Sequence, residues 1–299
     1  MVMIKSFKAV RPRKDLVKKI ASQPYDVLNS DEARLEAKGN PYSFLHVVKS
    51  EIDLPENTGH YEPIVYEQAA DNLQNMIEEG WMILEKKEAM YLYRQIMNGH
   101  SQYGLVVSSS VQDYVEGKIK IHELTREVKE KDRITHVDTV NANTGPVFLT
   151  YPANNNLDSL FENIASESPE YDFTADDDIQ HTIWIIKEEE LQKEISMLFS
   201  EIPYTYVADG HHRSKSAAMV GKARKDLNPK HNGKEEYNWF LSVLFPHNQL
   251  KILDYNRVVK DLNGLSTKDF LTKLKQFFEI NSAENKEKAS PVKKTDFAM

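Results

Sequence analysis

One run constrains this chain more than any other: Tyr204-Thr-Tyr-Val-Ala-Asp-Gly-His-His-Arg213, followed by Ser-Lys-Ser-Ala-Ala-Met-Val220. Tyr204 to Ala208 is β-branched and aromatic and predicts a short strand; the small and charged residues from Ser214 to Lys225 predict a helix. Asp209, Gly210, His211, His212 and Arg213 then fall at a strand-to-helix turn. The first N–H groups of a helix have no partner within it and carry the positive end of its dipole, so an anion is stabilised there. Gly210 lets the backbone approach closely, the two imidazoles add donors, and Arg213 can grip a phosphate through two parallel hydrogen bonds. The plainer alternative makes Asp209 an N-cap and the histidines exposed loop residues. Five consecutive residues of complementary chemistry favour the site.

The elements on either side predict an α/β (α+β) chain, a mixed or parallel sheet with flanking helices. Ile4 to Val10 reads as an edge strand, and a helix follows through Leu16, Val17 and Ile20. Pro24 breaks it, leaving Asp26 on a loop before a helix that starts at Ser30. Phe44 to Val48 reads as a strand, and Lys49 to Glu62 as a surface loop. Apolar spacing from Val65 to Ile77 predicts a helix closed by Gly80. Strands at Ala89 to Met97 and Gln102 to Ser109 are joined by Asn98-Gly99, a strong hairpin signal. Val147 to Tyr151, His181 to Ile186 and Trp239 to Pro246 are further core strands. Lys187 to Ser200 and Ser266 to Phe278 are amphipathic helices, Asn154 to Asp178 a helix with an exposed connection, and Lys222 to Glu236 a polar loop or mobile flap.

A second candidate cluster is Lys120-Ile-His-Glu-Leu-Thr-Arg126, ahead of the mixed-charge run Glu127 to Arg133, which reads as a solvated helix face. A helix starting near Glu123 would put Arg126 one turn away on the same side. Glu123 is then the carboxylate that takes a proton from a hydroxyl or activates water, and Arg126 neutralises phosphate charge. His136 and Asn141 to Thr144 are lesser candidates, the latter more simply a turn before Pro146. Asp176 to Asp178 lacks the spacing of a calcium loop.

Bulk properties narrow the classes. With 38 Lys and Arg against 46 Asp and Glu the net charge is −8, and with no basic stripe a nucleic-acid partner is not expected. The absence of cysteine removes disulfides, thiolate zinc sites and thiol catalysis, and fits a reducing cytoplasm. Met1 to Val10 has no apolar core of signal length and no window suits a membrane span, so a soluble chain without membrane partners is expected. No GxxxxGK[ST] occurs, which excludes a P-loop kinase.

The ADGHHRSKSA stretch resembles the glycine-x-x-arginine-x-x-alanine turn of the ParB/sulfiredoxin superfamily, with Ser216 in the alanine place. Its DGHHR form is similar to that of free serine kinases that make O-phosphoserine. Together with KxHExTR at 120–126, it resembles a large bacterial and archaeal ADGHHR-motif family over nearly the whole chain, from the YDV at Tyr25 to the NRVVK at 256–260. That resemblance implies a ParB/sulfiredoxin-like core around 204–225 within an α/β catalytic region at 1–262, and a C-terminal helix and tail at 263–299, with family members continuing further. It implies His122 and Thr125 as substrate contacts beside Arg126, and Asn256 and Arg257 as a second phosphate clamp; Arg257 reads alternatively as a surface ion pair. It further implies Mg²⁺ held by Asp26 and Asp209, although Asp26 alone reads equally as a turn carboxylate, and Asp209 with His211 joins Glu123 in the catalytic group. The substrate implied is free L-serine with ADP or ATP as donor. A phosphatase acting on O-phosphoserine and a non-catalytic nucleotide-binding regulator are the alternatives, and oligomeric state is left open. Adjacent histidines on a helix point about 100° apart, which argues against a zinc site at His211 and His212.

Overall fold

A computed structural model describes residues 2–253, 256–285, 289–291, 293 and 295–298. Among the described residues the strands are β1 Ile4–Lys5, β2 Val10–Pro12, β3 Met82–Leu84, β4 Met90–Met97, β5 His100–Ser110, β6 Ile119–Lys120, β7 Val147–Tyr151, β8 Tyr171–Thr174, β9 Gln180–Ile186, β10 Thr205–Asp209 and β11 Trp239–Pro246. The helices are α1 Val17–Ile20, α2 Ser30–Ala37, α3 Leu45–Val48, α4 Pro63–Glu78, α5 Val111–Val115, α6 Glu127–Val140, α7 Asn155–Ala165, α8 Glu189–Ser200, α9 His211–Leu227 and α10 Thr267–Leu274. The chain divides into two units, 1–250 and 251–299. The second holds α10, capped by the Ser266 hydroxyl on the Asp269 N–H.

The first unit is a mixed α/β body around one large sheet, ordered β6-β10-β7-β11-β5-β4-β9-β8, with β1 added beside β5. Only β10 with β6 and β11 with β7 run parallel; the remaining pairs are antiparallel. β2 and β3 form a separate small sheet. Asn98 and Gly99 close the β4–β5 hairpin with φ of 51° and 76°, the left-handed pair that a two-residue turn between right-twisted strands requires.

Alternation of side chains along the strands decides the core. Leu92, Leu105, Leu149 and Trp184 join Leu157 and Phe161 of α7 and Ile195, Leu198 and Phe199 of α8 in one buried cluster, where each fully buried large apolar side chain contributes roughly 1.5–3 kcal/mol. A second cluster gathers Leu16 and Ile20, Val47, Leu73 and Met76, Met82 and Val140, so α1, α3, α4, β3 and α6 share a core of their own.

Several expectations change here. Phe44 to Val48 is a helical turn, not a strand, with Val48 N–H bonded to the Phe44 carbonyl and Lys49 N–H to that of Leu45. A short apolar run carries no period that separates a buried turn of helix from a buried strand. The stretch after it is not simply surface, because Ser50 and Glu51 are buried. β8, inside the segment read as an exposed connection, pairs with β9. Helix α9 extends to Leu227, and Arg224 near its end is bonded to Asp138 of α6 and to its C-cap Asn141, so the first part of the expected flap, 222–227, is helix.

The sheet edge that carries β6 is anchored by Asp113. This fully buried carboxylate accepts the Met3 N–H at 2.6 Å and the Lys118 ammonium at 3.0 Å. The Lys118 carbonyl in turn accepts the Thr205 N–H at 3.1 Å, joining β6 to β10. On its other side α9 packs against α6, where the fully buried Ser216 turns its hydroxyl back to the His212 carbonyl at 2.7 Å. At Gly221 an added Cβ would land on the Tyr237 carbonyl oxygen, a backbone group that has no room to yield. Gly221→Ala is therefore expected to lower folding stability by about 1–3 kcal/mol, read as a fall in the urea midpoint with unchanged slope.

Candidate functional site

β10 delivers the chain to α9 through Gly210, which takes φ 93° and ψ 32° as the N-cap. A Cβ there would meet Arg213 Nε at 3.2 Å and the Val147 backbone at 3.4 Å, so conformation and space both select glycine. The helix begins at His211, earlier than the sequence suggests, and its first turn therefore contains His211, His212 and Arg213. Ser214 N–H makes the first helical bond, to the Gly210 carbonyl at 2.9 Å. The three preceding amides point out of the helix, as helix-start amides must.

Arg213 is not an exposed clamp. Its side chain is 14% exposed; Nη1 donates to the Pro146 carbonyl and Nη2 to Asp209 Oδ2 at 2.5 Å. The guanidinium thus ties the end of β10 and the loop before β7 to the first turn of α9. Its Nε is buried with no acceptor in the protein, as is His212 Nδ1. These bonds make Arg213 part of the fold as well as of the turn.

His211 is 5% exposed and meets the 120–126 segment directly. His122 N–H points to His211 Nε2 at 3.4 Å, and the two rings meet edge to face at 4.5 Å. Because Nε2 accepts, the neutral ring carries its proton on Nδ1, and Nδ1 lies 3.7 Å from Glu123 Oε2. Burial, helped by His122, holds the His211 imidazole below the ordinary histidine range, although Glu123 and Asp209 pull the other way. At neutral pH the ring is uncharged and presents an N–H to a carboxylate that is itself 62% exposed. Glu123 thus stands between the buried ring and solvent.

The surroundings of Glu123 differ from expectation. Residues 121–126 are irregular and α6 starts only at Glu127, with Arg126 as an extended N-cap residue that makes no capping bond. Glu123 and Arg126 therefore do not share a helix face. The backbone N–H of His122 points toward His211, and Thr125 bonds Glu130 through its hydroxyl, both outside any helical ladder. Asn256 and Arg257 belong to the second unit and are exposed; Tyr255, just before that motif, lies outside the described residues. Asp26 lies on an exposed turn, and Asp209 is taken up by Arg213. Among the described residues no three His, Asp or Glu side chains gather as a metal ligand set.

Two cavities abut beside this turn. One of about 390 Å³ runs between Val10, Phe44, Met82, Val137 and Leu241, bounded by Gly145, Pro146 and Arg213. The other, of about 580 Å³, is polar and includes Asp26, Arg34, Lys49, Glu51 and Lys129. Tyr25, Arg133 and His136 line both. Arg133 lies over the Tyr25 ring at 4.1 Å and is held by Asp132 at 2.8 Å, which also accepts the Tyr66 hydroxyl at 2.9 Å. Burial raises the Tyr25 phenol to about 12 against the pull of Arg133 and, less strongly, Arg213, so it stays protonated. Arg133 and Asp132 sit inside a charge run whose local pattern is that of a solvated face; only α4 and the 22–25 loop, distant in sequence, enclose them.

Two consequences are measurable. Hydrogen bonds to charged groups contribute about 1.5–3 kcal/mol, so Arg213→Ala should lower stability by about 2 kcal/mol, with Arg213→Lys recovering little of it, in denaturant unfolding of each variant. His136 is buried, its ring nitrogen bonded to the Val47 carbonyl at 3.1 Å, and burial drives its pKa from 6.5 to about 4. Since the folded state resists the proton, stability is complete above the ordinary histidine range and falls as pH drops from about 6.5 toward 4. His136→Gln, which keeps a donor and cannot titrate, should flatten that part of the stability curve against pH.

Comparison with known proteins adds one result. No curated protein matches the chain, and no solved structure matches it. A family described as "Protein of unknown function (DUF1015)" matches residues 4–299. The chain belongs to that family.

Proposed function

We propose that this protein is a phosphoryl-transfer enzyme that acts on the hydroxyl of L-serine with ADP or ATP as donor. The observation that carries the reading is the approach of Glu123 to His211, 3.7 Å apart at the first turn of α9. Phosphoryl transfer asks little covalent chemistry of the protein; it needs an oriented oxygen nucleophile and a preorganised home for phosphate charge. Glu123 would accept the serine proton, with His211 orienting it through Nδ1–H, and the outward amides of His211, His212 and Arg213 would receive the phosphate at the positive end of the helix. His122, whose ring meets His211 edge to face, would border that space, with Thr125 and Arg126 further along the same segment as further substrate contacts. The serine specificity rests on the resemblance to free serine kinases, as does a ParB/sulfiredoxin-like character of the β10–α9 unit.

Mg²⁺ would shield the phosphates and lie chiefly on the nucleotide itself, with Asp209 the nearest carboxylate of the turn and Asp26 a more remote one. Hydrolysis of O-phosphoserine would use the same carboxylate with water as nucleophile. A nucleotide-binding regulator would keep the anion site without turnover.

Incubation of the protein with Mg²⁺ and O-phosphoserine, with and without AMP or ADP, separates the three. Phosphoryl transfer yields ADP or ATP only when nucleotide is present, hydrolysis yields free phosphate without it, and a regulator yields neither. Glu123→Gln should still bind ligand while turnover falls on the order of 10²–10⁴-fold. Full activity in that variant would remove Glu123 from the mechanism.

A further inference from the structure

The 390 Å³ cavity beside Arg213 is a separate feature from the Glu123–His211 pair, because His211 and Arg213 lie two positions apart on α9 and diverge around it. Its volume falls within the roughly 300–1,000 Å³ of small-molecule sites, and its make-up, mostly apolar walls with a few polar groups at one end, is the usual one. Phe44, Val137 and Leu241 are among its apolar lining residues, and Asn143 and Thr144 among its polar ones, residue types able to read the edge of a heterocycle.

Two guanidinium groups, both largely buried, border this cavity. Each carries five N–H donors. Arg133 places Nε and Nη2 on Asp132, and Arg213 spends two on Asp209 and Pro146; the carboxylates thereby fix both forks while leaving further N–H groups. The Arg213 Nε–H is buried beside Gly210 without an acceptor and out of a ligand's reach, so a ligand in the cavity would meet the remaining terminal N–H groups of the two forks, at the first turn of α9 that Arg213 itself occupies.

We infer that this cavity holds the base and ribose of a purine nucleotide, with its phosphates directed to Arg213, Arg133 and the first turn of α9. A flat heterocycle suits apolar walls that would give no grip to a free amino acid, and a phosphate chain suits paired, preoriented guanidinium forks. The assignment rests on the phosphoryl-transfer reading for its choice of a phosphorylated ligand.

The test is binding and labelling of the full chain with ADP. Calorimetry should give tighter binding of ADP than of adenosine or inorganic phosphate alone. ADP bearing a photoreactive azide on the adenine ring should label peptides containing residues 20–25, 143–147 or Leu241. Leu241→Trp, which fills the cavity, should weaken ADP by about tenfold or more, whereas the volume-conserving Leu241→Met should not; melting without ligand verifies that both are folded. Labelling in the polar cavity or on the surface overturns the inference, and so does a folded Leu241→Trp that binds ADP like the parent. Should Leu241→Trp fail to fold, the labelling pattern decides. The two readings fail separately: a labelled cavity with a fully active Glu123→Gln keeps the nucleotide pocket and removes the mechanism, while nucleotide-dependent phosphoryl transfer with ADP labelling outside this cavity does the reverse.

Discussion

The bonds of Arg213 hold three pieces of the molecule together at one point. The guanidinium spans the end of β10, through Asp209, and the loop before β7, through the Pro146 carbonyl, from its own place in the first turn of α9. Around it Gly210 adopts a left-handed conformation in a space that no side chain can share. The register of β10 between β6 and β7 brings the turn to this position, and the same register brings the 120–126 segment to His211. A charge fixed in a partly dry setting is expensive to move, which is why this turn is a rigid platform on which groups from separate segments can be set.

Two arrangements of titratable groups result, with different physical character. Glu123 is exposed and lies 3.7 Å from a ring whose burial disfavours its charged form, so the carboxylate is open to solvent and to a substrate. Arg213, Arg133, Asp132 and Tyr25 are largely enclosed; Arg133 is paired with Asp132 over the Tyr25 ring and Arg213 with Asp209, so neither buried cation is left uncompensated. The first arrangement suits proton removal, the second suits holding a ligand still. Helix α9 joins them, because its residues at positions 211 and 213 face different directions around one axis.

Much of the secondary structure was legible because local rules decided it. Asn98-Gly99 closed its hairpin with the backbone angles that dipeptide favours, and Pro63 and Gly80 bounded α4 as punctuation at helix ends does. β7, β9 and β11 fell where runs of β-branched and aromatic residues lay. The misreadings have physical causes too. Phe44 to Val48 forms a helical turn because so short an apolar run carries no period, and the helix expected at Glu123 begins only at Glu127, where the 120–126 segment leaves its contact with His211. Arg133 was indistinguishable from its charged neighbours until α4 and the Tyr25 loop enclosed it.

By itself the sequence determined that a strand must hand over to a helix at Asp209-Gly210, since only glycine suits that turn and the residues beyond it favour helix. It also settled, through the complete lack of cysteine, that no thiol takes part in whatever chemistry occurs. The tertiary structure decided which of the turn's side chains face a carboxylate and which face a cavity. It also made Arg213 a fastening between strands rather than an open clamp. Those outcomes depend on contacts between positions 66 to 89 residues apart, and such contacts are set by the order and twist of the whole sheet, which no local pattern encodes.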